Sequence, residues 1–320
     1  MRVLESTTDR ARLMANVAPI ASLVLMVIVF SIGSEVFFTP QNFDNILRQS
    51  AALLIVALGG TFVILIGSID LSVAAVIVFG AMMTAMTAPS LGPAAIVVGM
   101  AIGVAWGLVN GLLLVLGKLP SFMVTLGMHS VILGISLILL GGGNTIDFDN
   151  ELMRKAATAQ VVPHVPLIAV WAFAVYAICV LVAFRSRLGR FAFAIGGGER
   201  VSQLSGVAVG RYKVYIFMLS GLLAGLGGAL LAARSQSANQ EMGGTFMLDS
   251  IAAIVMGGTP LTGGVGGPHR TLLGVLVIGV LGNGLVLMGV GAYEQIAIKG
   301  VVIVAAVALT ISRSKLSVLK

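Results

Sequence analysis

The chain leaves itself almost no stretch in which to face water. Ten apolar runs follow one another, at 16–34, 46–66, 72–88, 93–117, 121–141, 165–184, 213–234, 246–258, 271–289 and 294–312. A helix needs about 20 apolar residues to cross the hydrocarbon core of a bilayer, and all but the short eighth run approach that length. Only 10% of the 320 residues are charged, against about 25% in a soluble domain, so the chain cannot keep a wetted surface. The breaks carry turn chemistry: Thr39-Pro40-Gln41-Asn42, Pro89-Ser90-Leu91-Gly92-Pro93, Lys118-Leu119-Pro120 and the glycine-rich stretch 257–268. The expected fold is an all-α polytopic membrane protein of about ten transmembrane helices with both termini cytoplasmic. Residues 1–320 are expected to form a single transmembrane domain.

Orientation follows from Lys and Arg, which concentrate on the cytoplasmic side. With the amino terminus inside, alternation places Arg2, Arg10, Arg12, Lys118, Arg185, Arg187, Arg190, Arg200, Arg211, Lys213, Arg270, Arg313, Lys315 and Lys320 inside. Arg48, Arg154, Lys155, Arg234 and Lys299 fall in the outer half, a division of 14 against 5 of the 19 basic residues. Asp147, Asp149 and Glu151 lie together outside. Arg2, Arg10 and Arg12 before an apolar run resemble a secretory signal. The following Gly33-Ser34-Glu35-Val36-Phe37-Phe38 offers no small-residue cleavage pattern, so an uncleaved first helix is expected. The organisation is then a cytoplasmic tail at 1–15, a polar outer loop at 142–164 and a basic inner loop at 185–212. No loop is large enough for a nucleotide-binding or sugar-binding domain, which another chain would have to supply. No basic stripe interleaved with aromatics points to nucleic acid. Cys179, the single cysteine, sits in an apolar run and reads as a small packed side chain.

Gly99, Gly103, Gly107 and Gly111 recur every four residues and therefore share one helix face. Such a face lets another backbone approach closely, so the row is expected to serve helix packing. Asp70, within Gly67-Ser68-Ile69-Asp70-Leu71-Ser72, is the only acidic residue between Asp44 and Asp147. A carboxylate at membrane depth faces protein or water. Asp70 and Ser72 can cap the third helix, and a broken helix can also line a pathway. Lys299 lies within the last run, where it can snorkel to the headgroups or face an internal path.

In the inner loop, Glu199 to Leu204 can form a short helix that Gly206 ends. It is either an ordinary loop segment or a docking element for a soluble partner. The stretch from Met256 to Pro268 has six glycines but no G-x-x-x-x-G-K-[ST] pattern. Gly117-Lys118 is followed by Leu119, so ATP hydrolysis by this chain alone is not expected. His129, His164 and His269 are scattered, with no H-E-x-x-H pair and no G-x-S-x-G elbow, so neither a catalytic nor a metal site is expected.

Taken in order, these marks resemble a known family. They are Phe38-Thr39-Pro40-Gln41-Asn42-Phe43, Asn45-Ile46-Leu47-Arg48-Gln49, Gly67 to Ser72, Asn110-Gly111, and Pro120-Ser121-Phe122-Met123-Val124-Thr125-Leu126-Gly127. The loop from Gly196 to Gly206 with Arg211 and Lys213, Gly257 to Gly264, Gly282-Asn283-Gly284-Leu285 and Ile298-Lys299-Gly300 complete the set. From about residue 37 to residue 312 the chain resembles the membrane-spanning permease subunit of bacterial ABC importers of the ribose type. It differs in Val73-Ala74-Ala75, where the family usually has Val-Gly-Ser. It differs also in Pro260 and Thr262, where Ser is usual, and in Val265, where Arg is usual.

The resemblance implies a multi-pass protein of the bacterial inner membrane that moves a sugar or sugar-like solute by alternating access. It implies a pore of two permeases, formed with a second copy or a sister chain. It also implies two cytoplasmic ABC ATPase subunits and a periplasmic sugar-binding protein. ATP and magnesium would sit on the ATPase, with no cofactor on this chain. The inner loop would be the coupling element, with Gly196, Gly197, Glu199, Arg200, Leu204, Ser205, Gly206 and Arg211 as its expected residues. Asp70, Ser72, Asn110, Asn283 and Lys299 are the translocation-path candidates. An ion-coupled secondary transporter is the alternative, with Lys299 as its main intramembrane charge.

Overall fold

The computed structural model describes residues 19–310, without the side chains of 303 and 306–310. The expected tail at 1–15 and the terminal basic residues Arg313, Lys315 and Lys320 lie outside the described residues. Each apolar run contains a helix. These are α1 (Pro19–Gly33), α2 (Pro40–Leu65), α3 (Val73–Leu91), α4 (Ala95–Gly117) and α5 (Ser121–Leu139). After them come α7 (Leu167–Arg185), α10 (Val209–Ser235), α11 (Phe246–Met256), α12 (Pro268–Leu287) and α13 (Ala292–Thr310). Among the described residues, six helical stretches are long and apolar enough to cross a membrane: α2, α3 with α4, α5, α7, α10 and α12. The 45-residue stretch of α3 and α4 is interrupted by a 3-10 turn at Gly92–Ala94 and folds into two mutually packed helices. Gly92, at φ +53°, makes that reversal. The protein is thus a polytopic helical membrane protein.

α2 starts before the apolar run does. Thr39 Oγ1 accepts the Asn42 N–H at 3.3 Å and Pro40 opens the helix, a favoured first-turn pairing. α2 and α10 form the centre, each with 78% of its apolar window buried, whereas α5 and α7 bury 28% and 33% of theirs and leave most of their surface exposed. Phe62, Ile55 and Leu58 of α2 and Phe217 and Ile216 of α10 are buried in the core between them.

Two expected loops are in fact structured. The 142–164 segment and its flanks hold β1 (Ile146–Asp147), α6 (Glu151–Thr158), β2 (Gln160–Val162) and β3 (Val165–Pro166). β1 pairs antiparallel with β4 (Ser237–Ala238), tying this segment to the end of α10. Asn150 caps α6 by accepting the Met153 N–H at 3.0 Å. The 185–212 segment is almost wholly helical, with α8 (Arg187–Gly197) and α9 (Glu199–Leu204) leading directly into α10.

Candidate functional site

The α2–α3 connection brings irregular backbone into the bundle. Residues 66–72 are non-helical, and Gly67, at φ +70°, turns the chain. Buried backbone groups require partners, and α5 supplies them. Ser121 Oγ accepts the Ile69 N–H at 3.1 Å. Thr125 Oγ1 accepts the Leu71 N–H at 3.0 Å and donates to the Ile69 carbonyl at 3.2 Å. These two hydroxyls satisfy the break much as a continuous helix would satisfy itself.

Asp70 is the centre of a polar cluster. Its Oδ1 accepts from the Ser72 N–H at 3.0 Å and the Ser72 hydroxyl at 2.6 Å. Its Oδ2 accepts from the Ser220 hydroxyl of α10 at 2.9 Å. Ser72 Oγ accepts in turn from Asn110 Nδ2 of α4 at 2.7 Å. Asn110 is buried, and its Oδ1 has no hydrogen-bond partner among the described residues. Asn110 precedes Gly117 by seven residues and Ser220 follows Val209 by eleven. At 1.5 Å per residue the cluster lies about 10–16 Å inside those helix ends.

The capping expectation needs correction. Ser72 is the residue before α3, but its side chain makes no cap bond to the helix. Its hydroxyl is committed to Asp70 and Asn110 instead. A narrow gap of about 10 Å³ beside Asp70, walled by Gly60, Ser220 and Ser250 among others, is far below small-solute size. Solute sites are of order 300–1,000 Å³, so passage here requires helices to move. Sequence reasoning missed Ser220, although a serine inside a long apolar run was the available signal.

The cluster is framed by close backbone contact. A Cβ on Gly103 would overlap the Gly221 carbonyl, one on Gly107 the Phe217 carbonyl, and one on Gly99 the Thr84 hydroxyl. At Gly111 it would press on the Val214 backbone. The glycine row of α4 therefore lies along antiparallel α10, whose own Gly221 and Gly225 meet it in return. On the other side, a Cβ on Gly59 of α2 would come within 3.0 Å of Ser220 Cα.

A second group lies at the end of the bundle that α2 reaches. A Cβ on Gly196 of α8 would overlap the Leu65 carbonyl and Gly264 N. Gly264 N itself donates to that Leu65 carbonyl at 2.9 Å. α8, the last residue of α2 and the glycine-rich 257–267 connection thus meet backbone to backbone, five residues from Asp70. α9 then crosses outward. Glu199 Oε1 pairs with Lys213 Nζ of α10 at 2.7 Å, and Gly206, at φ +84°, ends the turn. Val201 and Leu204 are 69% and 80% exposed on this short helix. Arg200, Ser205 and Arg211 are exposed beside them. Arg200 and Arg211 have no side-chain partner among the described residues. A cavity of about 430 Å³, walled by Arg190, Phe191, Gly197, Val201 and Ser205 among others, opens between α8 and α9.

Two candidates make no hydrogen bond to the Asp70 cluster among the described residues. Asn283 of α12 donates through Nδ2 to Asn42 Oδ1 at 2.8 Å, and Asn42 donates to the Phe37 carbonyl at 2.9 Å. Asn42 is at the far end of α2, about 35 Å from Leu65 at 1.5 Å per residue. Lys299 Nζ pairs with Asp249 Oδ2 of α11 at 2.9 Å, with side-chain exposures of 17% and 11%. The lysine thus turns inward to a carboxylate rather than snorkelling. Asp249, four residues into an apolar run, was not singled out in the sequence.

Comparisons with known proteins agree with one another. The family model described as the permease component of the branched-chain amino acid transport system matches residues 42–307. The ribose import permease protein of Bacillus subtilis (strain 168) is 37% identical over 321 residues, covering 98% of this chain and all of that one. Its counterpart from Escherichia coli (strain K12) is 37% identical over 311 residues, 93% of this chain and 94% of that protein. The D-allose transport system permease protein of the same organism is 33% identical over 291 residues, 90% of this chain and 89% of that protein. No solved structure matches the chain.

Proposed function

Since the chain belongs to this family of transport-system permease components, we propose that it carries a sugar or sugar-like solute as the membrane-spanning subunit of an ATP-driven ABC importer. The relatives named for ribose import and D-allose transport support the substrate class. The chain is a multi-pass protein of the bacterial inner membrane. In this reading it crosses ten times, through α1–α5, α7 and α10–α13, as one permease domain with both termini cytoplasmic. The basic segment 185–212 then faces the cytoplasm.

The observation that carries the mechanism is the backbone junction of Gly196 with Leu65 and Gly264. It puts α8 in direct contact with the end of α2, and the next turn of chain holds Asp70; in this reading α8 and α9 face the cytoplasm. Closure of two cytoplasmic ATPase subunits would displace α8 and α9. Rigid contact through Leu65 would shift the 66–72 break against α4, α5 and α10. Asp70, Ser72, Ser220 and the unpartnered Asn110 Oδ1 present the acceptors and hydroxyls that a polyhydroxylated solute exchanges for water. The closed gap at this point is one phase of alternating access. In this reading affinity comes from a periplasmic sugar-binding protein, and energy from hydrolysis of ATP bound with magnesium on the ATPase. A second permease, a copy or a sister chain, completes the pore.

Reversing both charges at Glu199 and Arg200 tests the lever. The variant should insert normally and lose uptake while ATP hydrolysis continues in the assembled complex. Uptake at the unaltered rate would contradict the assignment.

A further inference from the structure

A second cavity, of about 380 Å³, lies where the end of α4, the start of α10 and α9 converge. Its walls divide by chemistry. Lys118, Lys213, Glu199 and Gln203 form a polar side, and Leu114, Leu119 and Val209 belong to an apolar one. Lys118 follows the last residue of α4 in left-handed conformation, at φ +52°. Its side chain is exposed and has no partner among the described residues. Lys213 is already paired with Glu199 at 2.7 Å, so the cavity carries one net positive charge. The apolar side continues on α4 and its exit through Leu116 and Leu119, which are 76% and 50% exposed.

We propose that this cavity holds the headgroup of one anionic phospholipid, its phosphate on Lys118 and an acyl chain along Leu119 and Leu116. The net charge of the cavity equals that of one phosphodiester with opposite sign. Its height, at helix ends bounding apolar spans, is the headgroup layer. Basic pockets between membrane helices are suited to such headgroups. A soluble anion would use the lysines but leave the apolar walls wet. Because Glu199 is on α9, occupancy would brace the helix that we assign to coupling. The binding claim itself does not depend on that assignment.

The test uses the full chain, delipidated in detergent, with native mass spectrometry against added phosphatidylglycerol, phosphatidylcholine or inorganic phosphate. One phosphatidylglycerol should be retained in preference to phosphatidylcholine. Lys118→Gln should weaken it about fivefold, the worth of one lysine at such a surface, whereas Lys118→Arg should retain it. As a second readout, Leu119→Trp should be quenched more by brominated phosphatidylglycerol than by brominated phosphatidylcholine. Equal retention of the two lipids, indifference to Lys118→Gln, or displacement by inorganic phosphate would overturn the proposal. The first two outcomes would leave the cavity to a partner chain, and the third to a soluble anion.

Discussion

Ser220 Oγ donates to Asp70 Oδ2 at 2.9 Å, a bond that joins the α2–α3 break to the central helix across 150 residues. The same carboxylate takes two further bonds from Ser72, so among the described residues Ser220 is its anchor to α10. Leaving one buried acceptor without its donor costs about 1–3 kcal/mol. Ser220→Ala should lower stability by about that amount, read as denaturation of the purified protein. Asp70→Asn should reduce uptake about tenfold, which corresponds to 1.36 kcal/mol in a barrier. Unchanged uptake in a stably folded Asp70→Asn variant would remove the cluster from the path.

Gly103 is the most sensitive point of the α4–α10 contact, because a Cβ there meets the Gly221 carbonyl with no side chain able to give way. Gly103→Ala should cost about 1–3 kcal/mol, the range for overpacking. Gly127→Ala on α5, where a Cβ meets nothing within 4 Å, should be neutral or stabilising by up to about 1 kcal/mol through helix propensity. Thermal denaturation of the two purified variants checks the contrast.

Gly196→Leu should separate α8 from the end of α2, since its Cβ would occupy the position of the Leu65 carbonyl. Uptake should fall while the partner ATPases still co-purify, because α9 and its exposed face are untouched. Gly197→Leu, one residue on and with no atom within 4 Å of its Cβ position, leaves the Leu65 contact intact, so its uptake should fall less than that of Gly196→Leu. Equal loss in both variants would indicate damage to the docking surface rather than to transmission.

Lys299→Met would leave Asp249 buried without its cation. Removing one partner of a buried pair costs about 3–5 kcal/mol, so this variant should be strongly destabilised. Pairing it with Asp249→Leu should restore most of the loss, because an apolar pair of similar volume is often equally stable. Denaturation of the single and double variants measures the coupling.

Helix positions were readable because charge scarcity and turn residues mark them locally. α9 was readable to its ends, as Gly198 and Gly206 punctuate a short mixed-polarity segment. The four-residue spacing of Gly99 to Gly111 identifies a face but not the helix it meets, since Gly221 and Gly225 lie more than 100 residues away. Asp70 stood out as a lone carboxylate. Ser72 and Asn110 stood out with it, but Ser220 did not, because only the packing of α10 brings its hydroxyl to the carboxylate. Asp249 and Lys299 look unrelated in sequence for the same reason. The structure of 142–164 was hidden because β1 finds its partner strand beyond α10, and such short pairings leave no periodicity.

ATP-driven uptake in proteoliposomes tests the account most directly. The chain is reconstituted with its ATPase subunits and binding protein, and labelled sugar is followed with and without ATP. Uptake should require ATP inside the complex, persist with an ionophore and vanish when Glu199 and Arg200 are reversed. Sugar uptake by the chain alone, driven by an ion gradient and abolished by the ionophore, would contradict it.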